Sequence, residues 1–297
     1  MSIIFHADDF GLNPKQAGRI LSLSKVCGNS GRLTSVSIFP NSPSFKECTQ
    51  LAKPFIEEGK LLATVHLNIV EGPSCAPRSE VPLLVDDRGM FKLSFIDLLK
   101  RSYLPNNEEL LVQIAREFIC QIERFLEQFP TLKTNLRLDS HQHFHTIPLV
   151  YRALELALQT ISCKPDHIRV PLECNVYLRD QPELRKKIQP INVIKTELLA
   201  ALWSQCSKRP ISTNQPTNFF SGILFSGHME DLSDQALSSL HQHALRYGKD
   251  VEVLYHPFGL SEDEKAFDEH KTDFITFHRS PHRLNEANAL RRPGIPV

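Results

Sequence analysis

The 297-residue sequence is poor in tryptophan (one), methionine (three) and glycine (12), and it carries no surplus of charge. Its 34 Lys and Arg balance 34 Asp and Glu. That argues against generic binding to nucleic acid or to an anionic membrane, since both need a basic excess or stripe. No apolar run approaches the ~18 residues of a membrane span. The opening MSIIFHADDF lacks the basic and apolar regions of a secretory signal, so a reducing, cytoplasmic location is expected. No CxxC occurs, and the seven cysteines are odd in number and widely spaced. Neither a disulfide framework nor a structural zinc motif is signalled. Disorder is disfavoured because 41% of residues are hydrophobic and no polar tract is long. Few glycines beside 20 prolines imply stiff loops. The abundant residue is histidine, at 13.

Short apolar or β-branched runs alternate with segments of helical period along nearly the whole chain. Strands are expected at 2–6, 33–39, 62–67, 135–138, 167–170, 219–225 and 251–255. Asn13-Pro14 reads as an N-cap with Pro at the first helical position, opening a helix over 14–26. Between 107 and 129, Leu111, Ile114, Phe118, Ile122, Phe125 and Phe129 recur at three- and four-residue intervals. Pro148 opens a helix through Val150, Leu154 and Leu158, and another spans 231–247 with Gly248 placed to stop it. Strands alternating with helices imply a parallel sheet, either a barrel or a doubly wound sheet. No linker divides the chain, so residues 1–297 are read as one domain. Residues 72–106, with Pro73, Pro77, Pro82 and Pro105, read as a less regular insertion or lid. The tail from 291 to 296 is expected to be irregular.

Unusual polar residues fall where the strands end, which is where parallel α/β sheets and barrels place their ligands. Strand one runs into Asp8-Asp9, where the turn at Phe10-Gly11 is expected to aim both carboxylates into a site. One would suit a metal and its neighbour a general base; a solvated turn feeding the cap at Asn13 is the alternative. His66 ends an apolar run, where a lone histidine is more often a hydrogen-bonded core or rim residue than a ligand. His141, His143 and His145 alternate in DSHQHFH, so an extended stretch would point all three to one side. Imidazoles gathered there suit a metal or hydrogen-bond partners; a solvated loop is the alternative. Arg169 lies in an apolar strand and needs a carboxylate if buried. Glu173 lies two residues beyond Pro171, near the rim. His256 before Pro257 is a strand terminator or a site residue. His241, His243, His270, His278 and His282 are read as surface or structural.

Ala7-Asp8-Asp9-Phe10-Gly11-Leu12, Gly31-Arg32-Leu33-Thr34-Ser35-Val36-Ser37, His66-Leu67-Asn68 with Glu71-Gly72-Pro73, and Asp139-Ser140-His141-Gln142-His143-Phe144-His145 together resemble the YdjC-like carbohydrate deacetylases. That family includes the chitooligosaccharide deacetylases. Ile168-Arg169-Val170-Pro171, Ser221-Gly222-Ile223 and His256-Pro257-Phe258-Gly259 continue the resemblance, in the same order, over about residues 3–260. It implies an α/β, (β/α) barrel-like fold, a distorted barrel of seven or eight strands. It also implies hydrolysis of an N-acetyl group from an amino sugar or chitooligosaccharide at one divalent metal ion, magnesium or zinc.

By position, the metal ligands would be Asp9, His66 and His141, leaving Asp8 as the base. Arg169 would pair with Asp8, and His256 would protonate the leaving amine or steady the oxyanion. His143, His145 and Glu173 would face the substrate. Two positions depart from the family pattern: His6 and Ala17 stand where Asn is usual. Two other readings compete. An amidohydrolase-type enzyme would also use an HxH pair, although at the end of strand one rather than mid-chain. A non-catalytic sugar-binding relative would keep the scaffold alone. A homodimer is compatible with a barrel enzyme, though no residue pattern defines an interface.

Overall fold

The structure is a computed structural model that describes residues 1–25, 31–207 and 218–292. Seven strands form a single sheet: β1 (Ile3–Phe10), β2 (Ser35–Ile38), β3 (Leu62–Leu67), β4 (Arg137–Ser140), β5 (His167–Ile168), β6 (Asn218–Ser221) and β7 (Asp250–Tyr255). Every neighbouring pair is parallel, in the order β5-β4-β3-β2-β1-β7-β6. Strands β1 to β5 thus run outward in sequence, while β7 returns to pair with β1. The two free edges also meet. Glu173 and Phe220 form an isolated parallel bridge, and the Cys174 N–H donates to the Phe220 carbonyl at 2.6 Å. The product is a curled α/β barrel-like sheet, the seven-stranded form of the expected architecture.

The helices are α1 (Pro14–Leu21), α2 (Phe45–Glu57), α3 (Phe95–Ser102), α4 (Glu108–Gln128), α5 (Pro148–Thr160), α6 (Tyr177–Asp180), α7 (Pro190–Cys206), α8 (Asp234–Arg246), α9 (Thr272–His278) and α10 (His282–Arg291). Asn13 caps α1 as expected, its side chain accepting from the Gln16 N–H at 2.8 Å. The helix ends at Leu21 rather than at 26, because the chain turns to let the Leu33 N–H reach the Leu23 carbonyl at 3.0 Å. Val26 and most of the 291–296 tail lie outside the described residues. On α4, Leu111, Ile114, Phe118, Ile122 and Phe125 all point into the core, as their spacing requires.

Alternation along the strands sorts side chains into two different environments. Phe5, Ala7, Val36, Ile38, Ala63, Val65, Leu138, Val251 and Val253 join the apolar core under the helices. The positions between them are buried and polar: His6, Asp8, Ser35, Ser37, Thr64, His66, Asp139 and Glu252. The curled sheet therefore encloses a polar interior. Residues 72–106 comprise two antiparallel bridges (Pro73 to Met90, Val85 to Phe91), a 3₁₀ turn at Arg78–Glu80 and α3. Val81, Leu84, Phe91 and Leu98 of this segment are buried in the main core. Its start is anchored by buried Glu117 of α4, which accepts from the Cys75 and Ala76 N–H groups at 2.9 and 2.8 Å. Among the described residues, no helix is long and apolar enough to cross a membrane.

The loop after β7 carries α9 against the barrel mouth through a contact that only glycine allows. A Cβ at Gly259 would lie 1.6 Å from the His278 carbonyl oxygen. Overpacking of this kind costs about 2 kcal/mol or more, so Gly259→Ala is expected to lower the thermal midpoint by about 5 °C. A calorimetric scan giving an unchanged midpoint would rule the contact out.

Candidate metal centre and active-site cavity

The site begins with a bulge in β1. Ala7 pairs with Val36 and Phe10 with Ile38, so Asp8 and Asp9 together oppose Ser37. Asp9 takes a left-handed backbone, φ 62°, which a short polar residue tolerates at modest cost. The Phe10-Gly11 turn is therefore not what aims the two carboxylates, contrary to the expectation from sequence. The strand continues to Phe10, and the extra residue of the bulge re-aims the pair. Gln16 locks the chain on either side of Phe10, donating to the Asp9 carbonyl at 2.8 Å and accepting from the Gly11 and Leu12 N–H groups.

Asp8 points into the polar interior, where Arg169 grips it with two hydrogen bonds of 2.9 Å. The same guanidinium contacts Asp139 Oδ2 at 2.7 Å and Glu252 Oε1 at 2.6 Å. The expected partner of Arg169 is thus present, along with two further carboxylates. Burial raises the Asp8 carboxyl pKa, but Arg169 and His66 outweigh it and hold the group well below the usual carboxylate range. His6 lies on the same side, as alternation requires. Its Nδ1 meets Ser35 Oγ at 2.8 Å, while its Nε2 meets Ser37 Oγ at 2.7 Å and lies 3.2 Å from Asp8.

Asp9 faces the other way. Its Oδ2 accepts from Arg283 of α10 at 2.7 Å. Its Oδ1 lies 3.0 Å from His141 Nδ1 and 3.4 Å from His66 Nε2. His66 is oriented by Asp139, whose Oδ1 sits 2.7 Å from His66 Nδ1, while Ser37 donates to the other oxygen of Asp139. Phe39 packs edge-on against the His66 ring with centroids 4.7 Å apart. Donor atoms of Asp9, His66 and His141 all lie within 4.8 Å of one another. Among the described residues, Asp9 Oδ1 and His66 Nε2 are buried without a hydrogen-bond partner, although burial makes such atoms costly.

These features fit a divalent cation. Two imidazoles and a carboxylate converge, the two orphaned atoms face one another, and a carboxylate sits behind His66 as metal-binding histidines usually require. The charge has the right sign as well. Buried Asp8, Asp9, Glu71, Asp139 and Glu252 outnumber the buried guanidiniums of Arg169 and Arg283.

Asp139 and Ser140 end β4, but the three histidines lie in a 3₁₀ turn, His141–Thr146, rather than an extended stretch, with Gln142 and His143 at φ 55° and 56°. Its three histidines therefore diverge. His141 joins Asp9. His143 lines an adjoining cavity, its ring 5.8 Å from that of Phe220. His145 turns inward, its Nδ1 2.6 Å from Ser140 Oγ and its Nε2 2.9 Å from the Arg169 carbonyl. Both of its nitrogens are spent on holding the turn and the chain after β5, so no polar atom faces a ligand. Glu173 is also used structurally: it accepts from Ser221 Oγ at 2.7 Å and from the Gly222, Ile223 and Leu224 N–H groups.

The cavity encloses about 450 Å³ at the carboxyl ends of the strands. Asp8, His141, His143 and His256 give it a polar floor; Phe95, Ile96, Leu198, Leu199, Ile223 and Phe277 give it an apolar wall. His256 Nε2 lies 4.0 Å from Asp8 Oδ2, and its backbone N–H donates to buried Glu286 of α10. Burial depresses the His256 pKa to about 4 despite Asp9 and Asp8 nearby.

Sequence reasoning missed Asp139 as the partner of His66, Glu252 as a clamp on Arg169, and the contribution of α9 and α10. His278, grouped with the surface or structural histidines, is fully buried, with Nδ1 3.9 Å from Asp9 Oδ2. Asp139 and Glu252 follow the alternation of their strands and were legible. His278, Arg283 and Glu286 lie beyond the last strand in polar helices, where no periodicity marks them.

Fold and site together define a barrel-like α/β protein with a buried carboxylate–imidazole centre at the mouth of its sheet. The chain belongs to the YdjC-like protein family, whose family model matches residues 2–296. It is 26% identical over 180 residues to a carbohydrate deacetylase of Xenopus laevis, covering 60% of this chain and 53% of that protein. It is 30% identical over 149 residues to a chitooligosaccharide deacetylase of Salmonella paratyphi B, covering 50% of this chain and 52% of that one. The chain thus spans about half the length of the curated relatives it matches. A crystal structure of an Enterococcus faecalis V583 protein named for cellobiose-phosphate cleavage has the same fold. Its TM-score is 0.60 at 21% identity, over 98% of this chain and 90% of that one.

The carboxylates around the two imidazoles favour their charged forms. Burial disfavours charge on His66 and His141, but Asp8 and Asp139 raise the first to about 9, and Glu71 and Asp9 raise the second to about 10. A cation entering the cluster therefore competes with protons for both imidazoles. Affinity for Zn²⁺ is expected to climb with pH toward 10, up to about tenfold per unit for each proton displaced. Titration calorimetry in buffers of differing ionisation heat measures the release. Binding without proton release at pH 7 would contradict this electrostatic picture.

Proposed function

We propose that this protein hydrolyses the N-acetyl group of an amino sugar or chitooligosaccharide, with Asp9, His66 and His141 holding one divalent ion. The observation that carries the reading is the junction of that cluster with the cavity, where Asp8 and His141 share the floor. The names of the relatives support the substrate class. When bound, such an ion supplies Lewis acidity, polarising an amide carbonyl and easing deprotonation of water. Two imidazoles and a carboxylate suit zinc, cobalt or manganese better than magnesium.

Asp8 is the base in this scheme. Arg169 keeps it ionised, and clamps both its oxygens at 2.9 Å so that its position is set before substrate arrives. His256, neutral with a pKa of about 4, suits donation of a hydrogen bond to developing oxyanion charge better than delivery of a proton to the amine. The apolar wall offers a surface for the carbon face of a sugar ring, and His143 a polar group for its hydroxyls. Glu173 and His145 act by holding the β6 loop and the turn after β4. The whole chain serves as one catalytic domain, in which residues 72–106 close one side of the cavity through Phe95 and Ile96. Free cysteines at all six described positions suit a reducing compartment.

The test is acetate release from N-acetylglucosamine, diacetylchitobiose and their phosphorylated forms, each with Zn²⁺, Mn²⁺ or Mg²⁺ added. Asp8→Asn is expected to lower turnover by about 10²–10⁴-fold, and His256→Ala by about 10²-fold. Sugar binding without acetate release in the wild type, or full turnover in Asp8→Asn, would sink the assignment.

A further inference from the structure

We propose a second cation site, formed by Glu71, His141 and His278 on the far side of the His141 ring from Asp9. Donor atoms of these three residues lie within 4.8 Å of one another, and all three side chains are buried. The two clusters meet His141 through opposite nitrogens: Asp9 Oδ1 lies 3.0 Å from Nδ1, and Glu71 Oε2 lies 2.8 Å from Nε2. The orphaned atoms divide the same way. Asp9 Oδ1 and His66 Nε2 belong to the first cluster; Glu71 Oε2 and both ring nitrogens of His278 belong to the second.

Among the described residues neither nitrogen of His278 finds a hydrogen-bond partner, which is unusual for a buried imidazole, because neutral histidine carries one donor and one acceptor. His278 is fully buried, with its ring 6.3 Å from that of His141 and nearly parallel to it, the planes differing by 19°. Its other ring neighbours are Phe274 and Phe277, which offer no hydrogen-bonding group. Glu71 meanwhile lines the cavity, so a cation can enter from solvent. Two imidazoles and one carboxylate select an ion with affinity for nitrogen, such as Zn²⁺ or Co²⁺, over Mg²⁺ or Ca²⁺. With only one site filled, His141 is a neutral ligand. With both filled, His141 would offer Nδ1 on the Asp9 side and Nε2 on the Glu71 side, its remaining ring proton passing to solvent.

Protein stripped with a chelator and dialysed against Zn²⁺ at pH 8 is expected to retain two ions per chain by elemental analysis. Glu71→Gln and His278→Ala should each retain one, and so should Asp9→Asn, which removes the other site. Co²⁺ titration should show two absorbance steps in the wild type and one in each variant. Circular dichroism confirms that the variants fold, and Glu71→Gln, isosteric with the native side chain, guards against misfolding of His278→Ala. A single ion in the wild type overturns the second site. So does retention of two ions by Glu71→Gln or His278→Ala, or loss of both ions from a folded variant. Because the readout is stoichiometry, it stands apart from the deacetylase reading, which fails on acetate release and not on ion count.

Discussion

One buried cation, the Arg169 guanidinium, organises the interior of this barrel. It is 1% exposed and meets Asp8, Asp139 and Glu252 at once. Removing it would leave three carboxylates in a water-poor interior, and stripping one partner from such a cluster costs about 3–5 kcal/mol. Only arginine suits the position. Its planar fork can clamp Asp8 with two parallel bonds while its Nε still reaches Glu252, and it stays charged at every relevant pH. Asp139 carries the constraint onward. One of its oxygens answers Arg169 and the other sets the orientation of His66. The carboxylate that faces the cavity and the imidazole that faces the cation cluster are thereby fixed by a single group.

The same arrangement explains which parts of the molecule were legible in the sequence. All seven strands were readable, because each places apolar side chains in the core between turns and segments of helical period. The rule that ligands gather at the carboxyl ends of strands located Asp8, Asp9, His66, His141, Arg169 and His256. It could not show how each side chain turns. A bulge at Asp9 and two left-handed residues at Gln142 and His143 are backbone events, and no periodicity encodes them. The consequence is that His145, spaced like a ligand, serves the protein's own turn. Glu173 likewise completes the join between the two edges of the sheet rather than facing the cavity.

The polar interior also carries a cost that shapes the sequence. Parallel strands buried on both faces usually read as continuous apolar runs. Here one face alternates through His6 and Asp8, Ser35 and Ser37, Thr64 and His66, and Asp139. His6, which stands where the resemblance predicts Asn, illustrates how closely that interior is matched. Two serines on β2 receive its two nitrogens, and Ser37 relays it to Asp139. A histidine is tolerated at this position because the neighbouring strand supplies short hydroxyl side chains that leave room for the ring.

The last three contributions to the centre come from beyond β7, and they explain why the sheet alone would not make a site. Arg283 binds Asp9 Oδ2, His278 packs beside it, and Glu286 holds the backbone of His256. Asp9 therefore divides its oxygens between two tasks. Oδ2 neutralises a buried arginine from the C-terminal helices, and Oδ1 faces His66 and His141. With Oδ2 held by that arginine, Oδ1 is the oxygen that faces both imidazoles, so a residue from beyond the sheet decides which atom of Asp9 belongs to the cation cluster.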